Sequence, residues 1–287
     1  MTPHSQPNRG RLSTTLSLLG GLWVTAGLFW INPSDAQETV EIARSPAETF
    51  NPTQAPLIIS AADINSRFEA ELKFSDLIES EQYPEAIGVG QRLLELTEQE
   101  TSPESKDTAM VLARLADIQR QVGIHDASEN DFLRAIEILR STDGLYSEVV
   151  IGPLLGLGSN YHDGGKYLEA MAVFNEARTA NRRVFGLLND GQIDILDRMT
   201  RTFSSLNLSA EAHQKQVEAL RLMERKYGDD TTEVLPAIYK YARWLRSNGL
   251  YGKERSLYAR AMAIIREKLS RESVYMVTPL RETGNSF

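Results

Sequence analysis

From residue 112 to residue 261 the apolar positions return in the same order every 42 residues. Leu112, Leu115, Ala116 and Gln119 stand at offsets of 3, 4 and 7, which is one face of an α-helix. Leu154, Leu157, Gly158 and Tyr161 repeat that face, as do Leu196, Met199, Thr200 and Phe203, and then Ile238, Tyr241, Ala242 and Leu245. A second helical stretch follows each of these. It carries Ser128, Phe132 and Ala135, then Ala170, Phe174 and Ala177, then Ala212, Gln216 and Ala219, then Glu254, Tyr258 and Ala261. In most of these a small residue lets two helix backbones approach and an aromatic fills the space beside it, so the pattern predicts tight helix pairs.

Helix-ending residues keep the same period. Gly123, Gly165, Asn207 and Gly249 are spaced by 42, and so are Gly144, Gly186 and Gly228, with the two series interleaved at 21. Glycine and asparagine tolerate the left-handed backbone that closes a helix. A unit of 21 residues holds a helix of about 17 residues and a short turn, or about 25 Å of helix.

These residues resemble tetratricopeptide repeats, in which helix A carries a large apolar residue, a leucine, a small residue and an aromatic, a glycine ends it, and helix B carries alanine, an aromatic and alanine. Gly165, Lys166, Tyr167, Leu168, Glu169 and Ala170, followed by Phe174 and Ala177, match best. The 42-residue length is similar to the kinesin-light-chain variety rather than the 34-residue form, and Leu257, Tyr258 and Ala261 read like its helix B. The resemblance covers roughly residues 63 to 269. Gln216 and Glu254 depart from it at seam positions, and Pro236 falls near a helix start, where proline is tolerated and fixes where the helix begins or bends. The first unit, about 63–100, is degenerate but keeps Tyr83, Glu85, Ala86 and Leu93. Ser102, Pro103 and Glu104 read as an N-cap, a proline at the first position and an early acid. The expected fold is all-α: a right-handed α-solenoid of stacked antiparallel helix pairs, because one pair cannot bury its apolar face alone. The resemblance implies a concave face built from the A helices, where extended peptides or partner helices bind.

Outside the repeats the chain changes character. Arg9 and Arg11 precede an uncharged stretch over residues 12–34 whose apolar centre runs from Leu16 to Ile31, and Ser34, Asp35 and Ala36 follow Pro33. Residues 1–36 therefore read as a signal peptide cut after Ala36, or as an uncleaved signal anchor of membrane-spanning length. Cleavage implies a periplasmic or secreted protein; retention implies contact with a membrane through this segment only. Residues 37–62, with Pro46, Pro52 and Pro56, read as a linker, 63–270 as the repeat domain and 271–287 as a C-terminal tail with a short helix around Val274 to Leu280.

Composition narrows the chemistry. With no cysteine in 287 residues, disulfides, zinc–cysteine sites and thiol nucleophiles are excluded. The net charge of −8 argues against nucleic acid as a partner. His4, His125, His162 and His213 lack metal-ligand spacing, so no metal is expected, and His125 and His213 read as surface residues near helix starts. Gly156 and Gly158 open a dinucleotide fingerprint that fails at Tyr161 and follows no strand, and Gly158 is better read as a seam residue. Asp194/Asp197 and Asp229/Asp230 read as helix-start acids. No cofactor and no catalytic residue is expected. An accessory subunit of an envelope enzyme, or an enzyme with an unrecognised site, is the alternative to a non-catalytic interaction scaffold.

Charge is unevenly distributed. Residues 37–105 hold 4 basic and 14 acidic residues, a net −10, whereas residues 106–287 are close to neutral. Helix phase then sets basic residues in rows on the exposed side of the A helices. Arg114, Arg198 and Lys240 form one row, Arg201 and Arg243 a second, and Arg120 and Arg246 a third with His162 between them, while Tyr239 adds an aromatic. Such rows suit a protein partner with an acidic or carboxylate-bearing segment. The plainer reading is a solvated helix face whose cations pair with acids such as Asp117 and Asp197. The asparagines of the family's carboxylate clamp are missing, so chaperone-tail binding is not supported. The sequence does not specify an oligomeric state.

Overall fold

The computed structural model describes residues 61–269 and 273–284. Residues 1–36, and the linker up to residue 60, lie outside the described residues. Eleven α-helices and no strand are found among the described residues. Five antiparallel pairs run in order: α1 Arg67–Glu79 with α2 Tyr83–Glu100, α3 Lys106–Gln121 with α4 His125–Asp143, α5 Glu148–Asp163 with α6 Tyr167–Phe185, α7 Gly191–Ser205 with α8 Ser209–Tyr227, and α9 Leu235–Ser247 with α10 Tyr251–Lys268. A last helix, α11 Val277–Gly284, follows a 3₁₀ turn at Val274–Met276 and packs on α10.

The turns explain the repeat. Gly123, Gly165 and Gly249 have φ of 82°, 77° and 72°, and Asn207 has φ 58°. After each, the next residue donates its N–H five residues back: Ile124 to the Gln119 carbonyl, Lys166 to Tyr161, Leu208 to Phe203 and Leu250 to Leu245, at 2.7–2.9 Å. This is the Schellman closure that satisfies the last carbonyls of a helix. Glu81 adopts φ 57° at the matching place in the first unit, and Gln82 donates to Leu77 in the same way. The degenerate unit therefore keeps the turn without the glycine. The second glycine series closes the B helices in a different state: Gly186 has φ 82° and ψ 179°, a region reserved for glycine.

All twelve helix B seam residues named from the sequence are buried, among them Phe132, Phe174 and Tyr258 at 2% exposure or less. A Cβ on Gly158 would stand 2.5 Å from Phe174 Cε1, so that glycine is the small partner of the aromatic. The two polar departures are compensated. Gln216 Nε2 donates to Thr200 Oγ1 at 3.2 Å, and Glu254, fully buried, accepts from Arg246 Nε at 2.6 Å. Pro236 sits in the first turn of α9 just after a 3₁₀ turn at Thr232–Val234. One local expectation is corrected. Helix α3 starts at Lys106 and its cap is Ser105, whose hydroxyl accepts from Thr108 N at 3.1 Å. Ser102 and Pro103 instead form a preceding turn, in which Ser105 N donates to the Ser102 carbonyl. Ser105 wins because its hydroxyl also reaches the Thr108 side chain at 3.0 Å, so two bonds favour the later start.

Neighbouring pairs stack through α2 on α3, α4 on α5, α6 on α7 and α8 on α9. The A helices α3, α5 and α7 also approach one another, while α4, α6 and α8 do not do so to the same degree. The A layer is therefore the inner, concave side of the right-handed solenoid and the B layer the outer side.

Candidate functional site

Among the described residues, most of the basic-row side chains line a pair of grooves on the concave face. One, of about 960 Å³, runs between α3 and α5 and is lined by Arg114, Arg120 and Arg198 together with Ala113, Gly152 and Gly156. Gly156 leaves room for the Phe132 ring beneath it, since a Cβ there would lie 2.3 Å from Phe132 Cζ. The other, of about 610 Å³, flanks α9 and is lined by Tyr239, Lys240 and Arg243 with Pro236, Leu269 and Tyr275.

Most of the basic rows pair with acids. Arg114 pairs with Glu71, donates to Ser75 Oγ at 3.1 Å and lies 4.8 Å from the centre of the Phe74 ring. Arg120 bridges Asp117 at 2.9 Å and Asp163 at 2.7 Å. Arg198 pairs with Asp194 at 2.9 Å and donates to Ser159. Lys240 pairs with Asp197. Three of these acids, Glu71, Asp163 and Asp197, stand on the A helix of the adjacent repeat. Arg246 turns into the repeat interface, where it meets Glu254 of α10 and Glu282 of α11. Tyr239 donates its hydroxyl to the Tyr275 carbonyl at 3.2 Å. Arg201 and Arg243 differ: both are exposed, and neither has a carboxylate partner among the described residues.

The three described histidines are half-buried and bonded across repeat junctions, which the reading of His125 and His213 as surface residues near helix starts missed. His125 Nδ1 meets Asn160 Oδ1 at 2.9 Å, His162 Nδ1 meets Thr202 Oγ1 at 3.0 Å, and His213 Nε2 meets the Tyr241 hydroxyl at 2.5 Å. Burial lowers the pKa of His162 and His213, with Arg201 adding to the first and Lys253 to the second. Tyr161 is pushed up to about 12 by burial and by its bond to Glu129. Among the described residues no three histidine, aspartate or glutamate side chains gather as a metal site, and no helix is long and apolar enough to cross a membrane. The sequence reading also passed over Gly152 and Gly156 as groove floor; their place in the exposed phase of helix A was the available signal.

No family model and no curated protein sequence matches the chain. Solved structures do. The kinesin light chain TPR-like repeats of Podosopora anserina superpose with a TM-score of 0.60 at 14% identity, over 71% of this chain and 96% of that one. BtubC (BKLC) from P. vanneervenii gives a TM-score of 0.52 at 15% identity, over 74% of this chain and 82% of that one. A Rap protein solved in complex with Competence and Sporulation Factor gives 0.52 at 12% identity, over 78% of this chain and 66% of that one. Repeat length, turn geometry, seam packing and these superpositions agree: the chain has the tetratricopeptide-like α-solenoid fold.

Proposed function

We propose that this protein is a non-catalytic interaction scaffold whose concave face holds an acidic segment of a protein partner. The observation that carries the reading is the pair Arg201 and Arg243, which lie one repeat apart and have no carboxylate of their own among the described residues. Arg201 stands on α7 and Arg243 on α9, the A helices of successive repeats, so an extended acidic segment running across the repeats could meet both. Tyr239 and Lys240 border the groove beside Arg243 and supply an aromatic edge and a shared charge. The paired residues Arg114, Arg120, Arg198 and Arg246 keep the face in shape rather than serving as free donors. Rap, solved with Competence and Sporulation Factor on a similar fold, makes a protein-level ligand a reasonable class.

The same reading includes export. A charged start, an apolar stretch and Ser34–Asp35–Ala36 suit a signal peptide or anchor that delivers the repeats to the cell envelope or beyond. Pull-down from native envelope with the wild-type chain and with Arg201→Glu/Arg243→Glu tests the face. The variant is expected to lose its partners, and the wild type to lose them as salt rises. Equal recovery by both would overturn the proposal. Mass determination of the mature chain tests export: a start at Gln37 means cleavage, an intact chain in the membrane fraction means anchoring, and an intact soluble chain contradicts both.

A further inference from the structure

The outer layer of the solenoid is tied by one-to-one ion pairs between successive B helices. Arg134 pairs with Glu98, Arg140 with Glu176, and Arg260 with Glu224. The α6/α8 junction breaks that rule. There Arg178, Arg182 and Lys215 all converge on Glu218: Arg178 and Arg182 on Oε1 and Lys215 on Oε2. Among the described residues no second carboxylate joins them, so these four side chains carry a net charge of +2.

Two of these cations stand where the repeat calls for apolar side chains. Residues 42 positions before and after Arg178 are Ile136 and Leu220, both buried, and those around Lys215 are Val173 and Leu257. Arg178 and Lys215 retain side-chain exposures of only 13% and 16%. Burial lowers the pKa of both, and neighbouring guanidinium groups lower it further. Partly buried like charges with too few counter-charges are costly, and an apolar alternative is in use one repeat away. Donors also remain. Nζ of Lys215 makes one of its three possible bonds, and Arg182, oriented through Nε by the Gln192 side chain at 2.8 Å, uses one terminal nitrogen.

We propose that the α6/α8 junction binds an oxyanion of the phosphate class on the outer face of the solenoid, with Arg182 and Lys215 as its donors and Arg178 as the supporting charge. The site is separate from the concave face and does not depend on the function proposed for it. A phosphate dianion would balance the charge and take up the unused donors. A free phosphate and a phosphomonoester lipid headgroup share this chemistry.

The test uses the full chain and inorganic phosphate, titrated calorimetrically against sodium chloride of equal ionic strength. Phosphate is expected to bind with a heat that chloride does not give. Lys215→Met restores the apolar character of Val173 and Leu257, so it is expected to melt no lower than the wild type while weakening phosphate about tenfold or more. Glu218→Gln is expected to tighten phosphate binding, and Arg201→Glu/Arg243→Glu to leave it unchanged. Flotation with phosphatidylcholine vesicles, with and without phosphatidic acid, separates the sources. Retention by phosphatidic acid that Lys215→Met abolishes assigns a headgroup, and phosphate binding without retention assigns the free anion. Phosphate behaving as chloride does, or full affinity in Lys215→Met, would overturn the site; so would loss of binding in the concave-face variant alone.

Discussion

Gln216 and Thr200 meet across the helix seam at 3.2 Å, at the two positions where Phe174 and Gly158 meet one repeat earlier. A buried amide and hydroxyl thus replace an aromatic ring and a bare backbone. Thr200 in turn donates to the Leu196 carbonyl at 2.8 Å, so its hydroxyl serves both partners. Thr200→Val leaves the Gln216 amide without its acceptor and is expected to cost about 1–3 kcal/mol. Thr200→Ala/Gln216→Phe restores the ring-on-small packing and is expected to recover most of that loss. Hydrogen exchange of the α7 and α8 amides reads both effects locally, which suits an array whose repeats open in parts.

The turns give an opposite pair of outcomes. Glu81 pays the left-handed penalty that Gly165 avoids, with φ 57° against 77°. Glu81→Gly is expected to stabilise the first repeat by about 1 kcal/mol, and Gly165→Ala to destabilise by a similar amount. Gly186→Ala should be worse, because its φ of 82° with ψ of 179° suits no side chain. Thermal melts of the three variants rank them.

Two glycines inside α5 should respond in opposite directions. A Cβ on Gly152 meets nothing within 4 Å, so Gly152→Ala is expected to raise stability by about 1 kcal/mol through helix propensity alone. On Gly158 the same methyl would lie 2.5 Å from the Phe174 ring, which must shift, and Gly158→Ala is expected to lower stability by about 1–3 kcal/mol. Equal melting points for the two variants would contradict the packing described.

Acid should weaken the array above the ordinary carboxylate range. His162 and His213 have folded pKa values lowered mainly by burial, so the folded state favours the neutral rings. Their stabilising contribution is complete above the unfolded value of about 6.5 and is lost as pH falls below it. The melting temperature is therefore expected to drop between about pH 7 and pH 5, a range set by that unfolded value. His162→Gln/His213→Gln should flatten the drop. Asp190 and Glu129, lowered by Lys226 and Lys166, contribute a separate loss at lower pH, as pH falls below the ordinary carboxylate range.

The period and the core were legible because one backbone state serves both. A left-handed residue every 42 positions fixes where each A helix stops, and the stop fixes the phase of every seam residue from Leu112 to Ala261. The start of α3 was harder to read, since Ser102 and Ser105 are both competent caps and only the bonds to Thr108 decide between them. The state of the basic rows was not legible. Helix phase says that Arg114 and Lys240 face outward, but not that Glu71 and Asp197 on the preceding A helix come within reach. That depends on the angle between successive repeats, which no single repeat encodes. Glu254 illustrates the same limit: an acid in a core position looks like a defect until Arg246 folds back from α9 to meet it.

The charge pairs that cross repeats lie at two depths, and this has a mechanical consequence. Arg120–Asp163 and Lys240–Asp197 tie the inner layer, while Arg134–Glu98 and Arg140–Glu176 tie the outer one. Straightening the solenoid stretches the inner ties, and curling it more tightly stretches the outer ones. The array therefore behaves as a spring braced on both sides, with a rest curvature set by charge as well as by packing. Added salt slackens both braces together, so it should widen the range of curvature without shifting its centre.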